Sequence, residues 1–171
     1  MALEIRSETS FHAADRTRLA RFGRAVLAAL DRSGWDVSVL IVDDRAMRQL
    51  NRVWRGHDRT TDVLSFPAQE KIDGGGTAAG DPGGLDRLLG DVVISAPRAA
   101  AQARRFGVSQ TEELNRLLVH GILHLMGYDH VTATERREMR ALENRLLTGA
   151  HRAKPRAART APGLRPARGS R

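Results

Sequence analysis

The stretch from Ser109 to His130 leaves the chain little choice of local structure. Ser109-x-x-Glu112 is a capping-box pattern, in which a hydroxyl and a carboxylate satisfy the first unpaired N–H groups of a helix. Leu114, Leu117, Leu118, Ile122 and Leu125 follow at helical spacing, so a long apolar face must be covered. Gly127 stands where a helix can stop in a left-handed residue. A helix of this kind needs a sheet or other helices around it, and the rest of the chain supplies both.

Leu3 to Arg6 alternates as a first strand, and Asp15 to Ser33 reads as a helix with Leu19, Phe22, Val26 and Leu30 on one face and Gly34 as its stop. Val37 to Val42 is a short, largely β-branched run, hence a strand. Asp43 or Asp44 caps a helix carrying Met47, Leu50 and Val53 that ends near Gly56. Asp62 to Phe66 and Gly90 to Ser95 read as two more strands, separated by a long glycine-rich loop over 69–88. Pro97 and Gly107 bracket a further helix. Thr132-x-x-Glu135 opens a last one, with Met139, Leu142 and Leu146 inward. This order predicts an α+β fold: a small mixed β-sheet of about four strands, packed with helices.

Residues 1–149 are expected to form a single domain. Residues 150–171 carry Lys154 and six arginines with no acid, almost all of the net charge of +8. That tail is expected to lack fixed structure, as a passive end or as an arm that contacts phosphates. The domain itself is nearly neutral. The chain has no cysteine, which rules out disulfides and thiolate ligands. It shows no signal-peptide core at its start and no run of about 18 apolar residues, so a cytoplasmic protein with no membrane contact is expected.

Three of the six histidines lie within the segment His120-Gly-Ile-Leu-His124-Leu-Met-Gly127-Tyr-Asp129-His130. Residues four apart share a helix face, so His120 and His124 point the same way, and the break at Gly127 lets His130 approach from the side. Three imidazoles with a fourth position left for water is the pattern of a catalytic zinc site, holding one Zn2+ per chain. The spacing is that of the metzincin peptidases, so this is expected to be a zincin-like metal-site helix and residues 1–149 a metal-dependent hydrolase domain, but Gly121 stands where their general base is a glutamate. Proteolysis by the usual route therefore lacks its base, unless Asp129 or another acid replaces it. His12 and His151 read as exposed residues outside the site.

A second informative segment is Asn51-Arg-Val-Trp-Arg55-Gly-His57-Asp-Arg-Thr60-Thr-Asp62-Val-Leu-Ser-Phe-Pro67, richer in charge and hydroxyls than a connector requires. Together with Leu89-Gly90-Asp91-Val-Val-Ile-Ser95 and the histidine block, it resembles the YbeY proteins, bacterial metal-dependent endoribonucleases of ribosome maturation. The resemblance spans about residues 35–147 and keeps the family's block order. It implies that the three histidines hold zinc and that Arg55 is the functional arginine near the metal. It also implies single-stranded RNA as substrate, with a role in 16S ribosomal RNA 3′-end maturation and ribosome quality control. Trp54, His57 and Thr60 replace the tyrosine, lysine and proline common at those places. Arg55 suits a phosphate through its planar fork. Besides Trp35 and Trp54, only Phe11, Phe22, Phe66, Phe106 and Tyr128 are aromatic, several of them core-like, so base-specific readout should be weak. Two other readings stand beside this one: a metallopeptidase-like hydrolase, and a non-catalytic ribosome-associated binding protein with a structural metal.

Overall fold

The computed structural model describes residues 3–68, 87–129 and 131–152. The elements are β1 (Leu3–Ser7), α1 (Ala13–Ala29), β2 (Asp36–Val42), α2 (Asp44–Arg55), β3 (Val63–Pro67), β4 (Leu88–Ser95), α3 (Ala96–Phe106), α4 (Gln110–Leu125) and α5 (Ala133–Arg152). The four strands form one mixed sheet in the order β1-β2-β4-β3. β1 and β4 each lie parallel to β2, and β3 runs antiparallel to β4 as an edge strand. The fold class is the α+β arrangement expected.

Alternation along the strands sends side chains to two layers. Val37, Val39 and Ile41 of β2 and Val92 and Ile94 of β4 join the main core with α1, α4 and α5. Val42 and Val93 pack on the opposite face around Met47 of α2, with Leu64 of β3. Helix α4 lies at the centre of the main core, its leucines, Val119 and Ile122 almost without exposure. Ser109 and Glu112 complete the capping box at its start, and Gly127 takes φ 85° just beyond its end.

Three details differ from the sequence reading. Helix α1 stops at Ala29, before Ser33, because Asp31 takes the left-handed conformation at φ 55°, and Gly34 (φ 89°) serves the turn into β2 instead. Asp enters that region more readily than most residues, which is why it stops a helix whose apolar spacing could have gone on. On α2 the buried residues are Met47 and Asn51, and Val53 is 63% exposed. Helix α5 continues past Gly149 to Arg152. Most of the expected 69–88 loop and the tail from 153 onward lie outside the described residues.

One close approach fixes the β3–β4 pairing. Gly90, at φ 138°, sits so near the carbonyl oxygen of Phe66 that a Cβ would collide with it. Only glycine satisfies both the backbone angle and the space.

Candidate metal centre

Helix α4 is apolar around most of its circumference, but a polar stripe runs along it: Glu113, Arg116, His120 and His124, spaced three, four and four residues apart. Residues at such spacing lie one above another. In the last turns of the stripe the His120 and His124 rings meet edge to face, centroids 4.6 Å apart. Their Nε2 atoms are 3.1 Å apart. On its other side His120 Nδ1 lies 2.7 Å from Glu143 Oε1 of α5. Both partners are largely buried, with side chains 26% and 17% exposed.

The roles follow from chemistry. An ionised carboxylate only accepts, so Nδ1 of His120 carries the proton and donates it to Glu143. A metal bound here would take the Nε2 atom, which faces His124. A carboxylate behind a histidine, fixing its tautomer and orientation, is what supports histidine ligands of metals. Two nitrogens bound at ordinary zinc distances to one tetrahedral ion stand roughly 3.3 Å apart. The 3.1 Å separation here therefore fits a shared ion with little adjustment.

His130, the third expected ligand, lies outside the described residues. Among the described residues, no group of three or more His, Cys, Asp or Glu side chains comes together as a metal cage. Asp129, His12 and His57 are exposed. Sequence reasoning passed over Glu143, although a signal existed: it falls four residues after Met139 and three before Leu146, an acid written into the apolar face of α5.

Gly121 does more than omit a general base. Its face of α4 is pressed on the sheet, where a Cβ would lie 2.6 Å from Val92 Cγ1 and 3.3 Å from Ser65 Oγ. There is no room for any side chain, so the catalytic glutamate of a metzincin cannot be accommodated at this position in this packing.

Ser65 also ties Arg55 to the same neighbourhood. Arg55 ends α2 and its Nη2 donates to the Ser65 carbonyl oxygen on the edge strand at 2.8 Å. The guanidinium carbon lies 5.8 Å from the centre of the Phe66 ring. The carbonyl of Ser65 thus holds Arg55, while its hydroxyl faces the helix turn that carries His120. Arg55 has a structural tie as well as a charge to offer.

The upper part of the stripe is organised differently. Arg116 donates to both oxygens of Glu113, at 2.6 to 3.1 Å, and its Nη2 stands 4.0 Å from Asp62. Gln102 bridges the two acids' neighbourhoods, giving its amide to Asp62 at 2.9 Å. Burial by itself would raise the Asp62 pKa. Hydrogen bonds from Gln102, from backbone N–H groups and from Thr61 outweigh it, and the carboxyl is held below the usual 3.8. The hydrogen bonds of Glu113 raise the Arg116 pKa against burial, helped by the charges of Glu113, Asp62 and Glu143.

Comparison with known proteins agrees with this architecture. A Thermotoga maritima protein known from its solution structure, TM1509, superposes with a TM-score of 0.61 over 86% of this chain and 88% of its own, at 23% identity, a likeness of fold. Endoribonuclease YbeY of Thermobifida fusca is 43% identical over 150 residues, covering 87% of this chain and 94% of that protein. The protein of the same name from Moorella thermoacetica is 42% identical over 153 residues, covering 87% and 97%. The Myxococcus xanthus protein is 47% identical over 129 residues, 75% of this chain but only 41% of that longer relative. The model of the Endoribonuclease YbeY family matches residues 4–151. The chain belongs to the YbeY family.

Proposed function

We infer that the chain is a zinc-dependent endoribonuclease of single-stranded RNA, working in the cytoplasm on the 3′ end of 16S ribosomal RNA and in ribosome quality control. Its similar proteins carry the name endoribonuclease, which supports RNA cleavage. The observation that supports the metal is the converging His120–His124 pair with Glu143 behind it. His120 and His124 would hold the ion, with His130 as the third ligand on the grounds of sequence spacing. Zinc, when bound, supplies a Lewis acid toward a phosphoryl oxygen and lowers the pKa of a bound water to about 7.

The chain's own residues set the rest. Glu143 keeps the His120 proton on Nδ1 and holds the ring in direction. Arg55 uses one donor on Ser65, and its remaining N–H groups suit a phosphate beside the histidine helix. Gly121 brings the helix close to the sheet and offers no proton acceptor. Among the described residues no helix is long and apolar enough to cross a membrane.

The test is metal analysis of the purified protein beside a single-strand RNA cleavage assay, wild type against His124→Ala. The expected result is about one zinc per chain and cleavage in the wild type, with both lost in the variant while far-UV circular dichroism is kept. Full zinc occupancy in His124→Ala would remove that residue from the ligand set. Undiminished cleavage after zinc is stripped would overturn the metal dependence. Arg55→Ala should retain zinc and lose RNA cleavage or binding, with a stability cost of about 1 kcal/mol from the Ser65 bond.

A further inference from the structure

The end of α2 exposes an aromatic side chain that the fold does not need there. Trp54 stands in the last turn of α2, and its indole is 65% exposed. It touches the ring of Phe66, on the edge strand, edge to face at 6.0 Å and 65°. This contact holds the indole from one side. Arg55 approaches the same Phe66 ring, so cation and indole flank a common aromatic support. The surroundings are basic. Arg52, Arg55 and Arg59 lie within five residues of Trp54 and are exposed. The nearby acid, Asp58, is already engaged by Arg48 through two bonds of 2.9 Å. An exposed indole braced by a second ring and surrounded by arginines suits a flat, anionic partner.

We propose that Trp54 is a base-stacking residue: one nucleobase of a single-stranded RNA lies on the indole while Arg55 takes an adjoining phosphate. The inference rests on the RNA reading above and adds to it a nucleobase subsite. Stacking is tolerant of sequence because every base has a π-face, so this subsite adds affinity with little base selection.

The test measures binding of the full chain to a 2′-O-methyl oligoadenylate, which resists cleavage, and to the same oligomer carrying abasic positions. Trp54→Ala is expected to weaken binding to the intact oligomer by roughly ten-fold or more, with Trp54→Phe close to wild type. Abasic oligomers should bind wild type weakly and no longer separate it from Trp54→Ala. Tryptophan emission should be quenched by the intact oligomer in wild type and much less in Trp54→Phe, which retains only Trp35. Equal affinity of Trp54→Ala and wild type for the intact oligomer overturns the proposal and leaves the patch to a protein partner. A loss in Trp54→Ala that persists undiminished on abasic oligomers also overturns it, since Trp54 would then act by supporting Arg55. A wild-type chain that neither binds the oligomer nor cleaves unmodified RNA overturns the RNA reading itself. Cleavage by wild type together with either of the first two failures overturns stacking alone.

Discussion

The polar stripe of α4 has two halves, and they are satisfied in different ways. In the upper half Glu113, 2% exposed, receives Arg116, which also reaches toward Asp62, and Gln102 joins them. Every charge there faces an opposite charge or a donor of its own. In the lower half His120 meets a carboxylate on one nitrogen and a second imidazole on the other. Two imidazole nitrogens turned toward each other do not stabilise one another unless a proton or a metal ion stands between them. The upper cluster closes on itself and fixes how α3, α4 and the start of β3 sit together. The lower one brings two imidazole nitrogens together, the arrangement that the proposed zinc site would use. On one helix, then, one polar network closes on itself, while the other leaves two like groups facing each other.

The sharpest break of the upper cluster is Arg116→Leu. It leaves Glu113 buried without its partner. Breaking a buried pair in this way costs about 3 kcal/mol, toward the lower end of the usual range because the Arg116 side chain is 36% exposed. The melting temperature should fall by roughly 10 °C, while the folded protein keeps its zinc. Adding Glu113→Leu should recover most of the loss, because two apolar side chains leave no buried charge behind. Differential scanning calorimetry of the single and double variants measures both steps. An Arg116→Leu chain as stable as wild type would show that the upper cluster contributes nothing to folding.

Gly121→Ala acts on the boundary between the halves. The new methyl group would meet Val92 Cγ1 at 2.6 Å, so α4 must move away from the sheet. Overpacking of this kind costs about 1–3 kcal/mol. The shift also tilts the turn carrying His120, so zinc affinity should fall along with stability. Chemical denaturation and zinc titration of one preparation test the coupling. Weakened folding with an unchanged zinc affinity would mean that the lower cluster is insulated from the sheet.

These two variants touch residues of unequal legibility. The ends of α4 and the shared face of His120 and His124 could be read from the capping box, the apolar repeat and Gly127, because all are local in sequence. Glu143 could not be placed the same way, since its pairing with His120 depends on how α5 crosses α4. The burial of Glu113 was hidden for a similar reason: its partner Arg116 also reaches Asp62 and Gln102, residues outside α4. The early end of α1 turned on a single backbone angle at Asp31, which apolar spacing does not encode. Val53 fits the apolar spacing of α2 yet is exposed, because the packing of the helix on the sheet, which spacing does not encode, takes Met47 and Asn51 inward.

Glu143→Ala sharpens the comparison from the other side. It removes the group that orients His120 but leaves the Glu113–Arg116 pair in place. Loss of such an orienting carboxylate costs about 10- to 100-fold in metal affinity or activity. Zinc titration against a competing chelator is the measure, with melting temperature of the metal-free protein as the control. A variant with wild-type zinc affinity would leave His120 oriented by other contacts, and the carboxylate would then belong with the structural half.

The smallest effect expected is a pH dependence, and it belongs to the upper cluster alone. The Asp62 carboxyl has a folded pKa below its ordinary 3.8, since hydrogen bonds from Gln102, the backbone and Thr61 outweigh its burial. A depressed carboxylate pKa means that the unfolded chain binds the proton more tightly. The stabilisation is therefore fully present above the unfolded value and is lost as pH falls from there through the folded value. Arg116 stays charged throughout, so the change comes from the acid. In Asp62→Asn this titration is absent, and the hydrogen bond from Gln102 can be retained by the amide oxygen. Urea midpoints measured on the metal-free protein from about pH 6 to about pH 3 should thus converge at the acid end, with wild type the more stable above it. Using the metal-free protein keeps protonation of the histidines from adding a loss of zinc to the curve. If the two proteins keep a constant difference across the whole range, Asp62 stabilises the start of β3 through its shape and hydrogen bonds, and its charge has no part in closing the network.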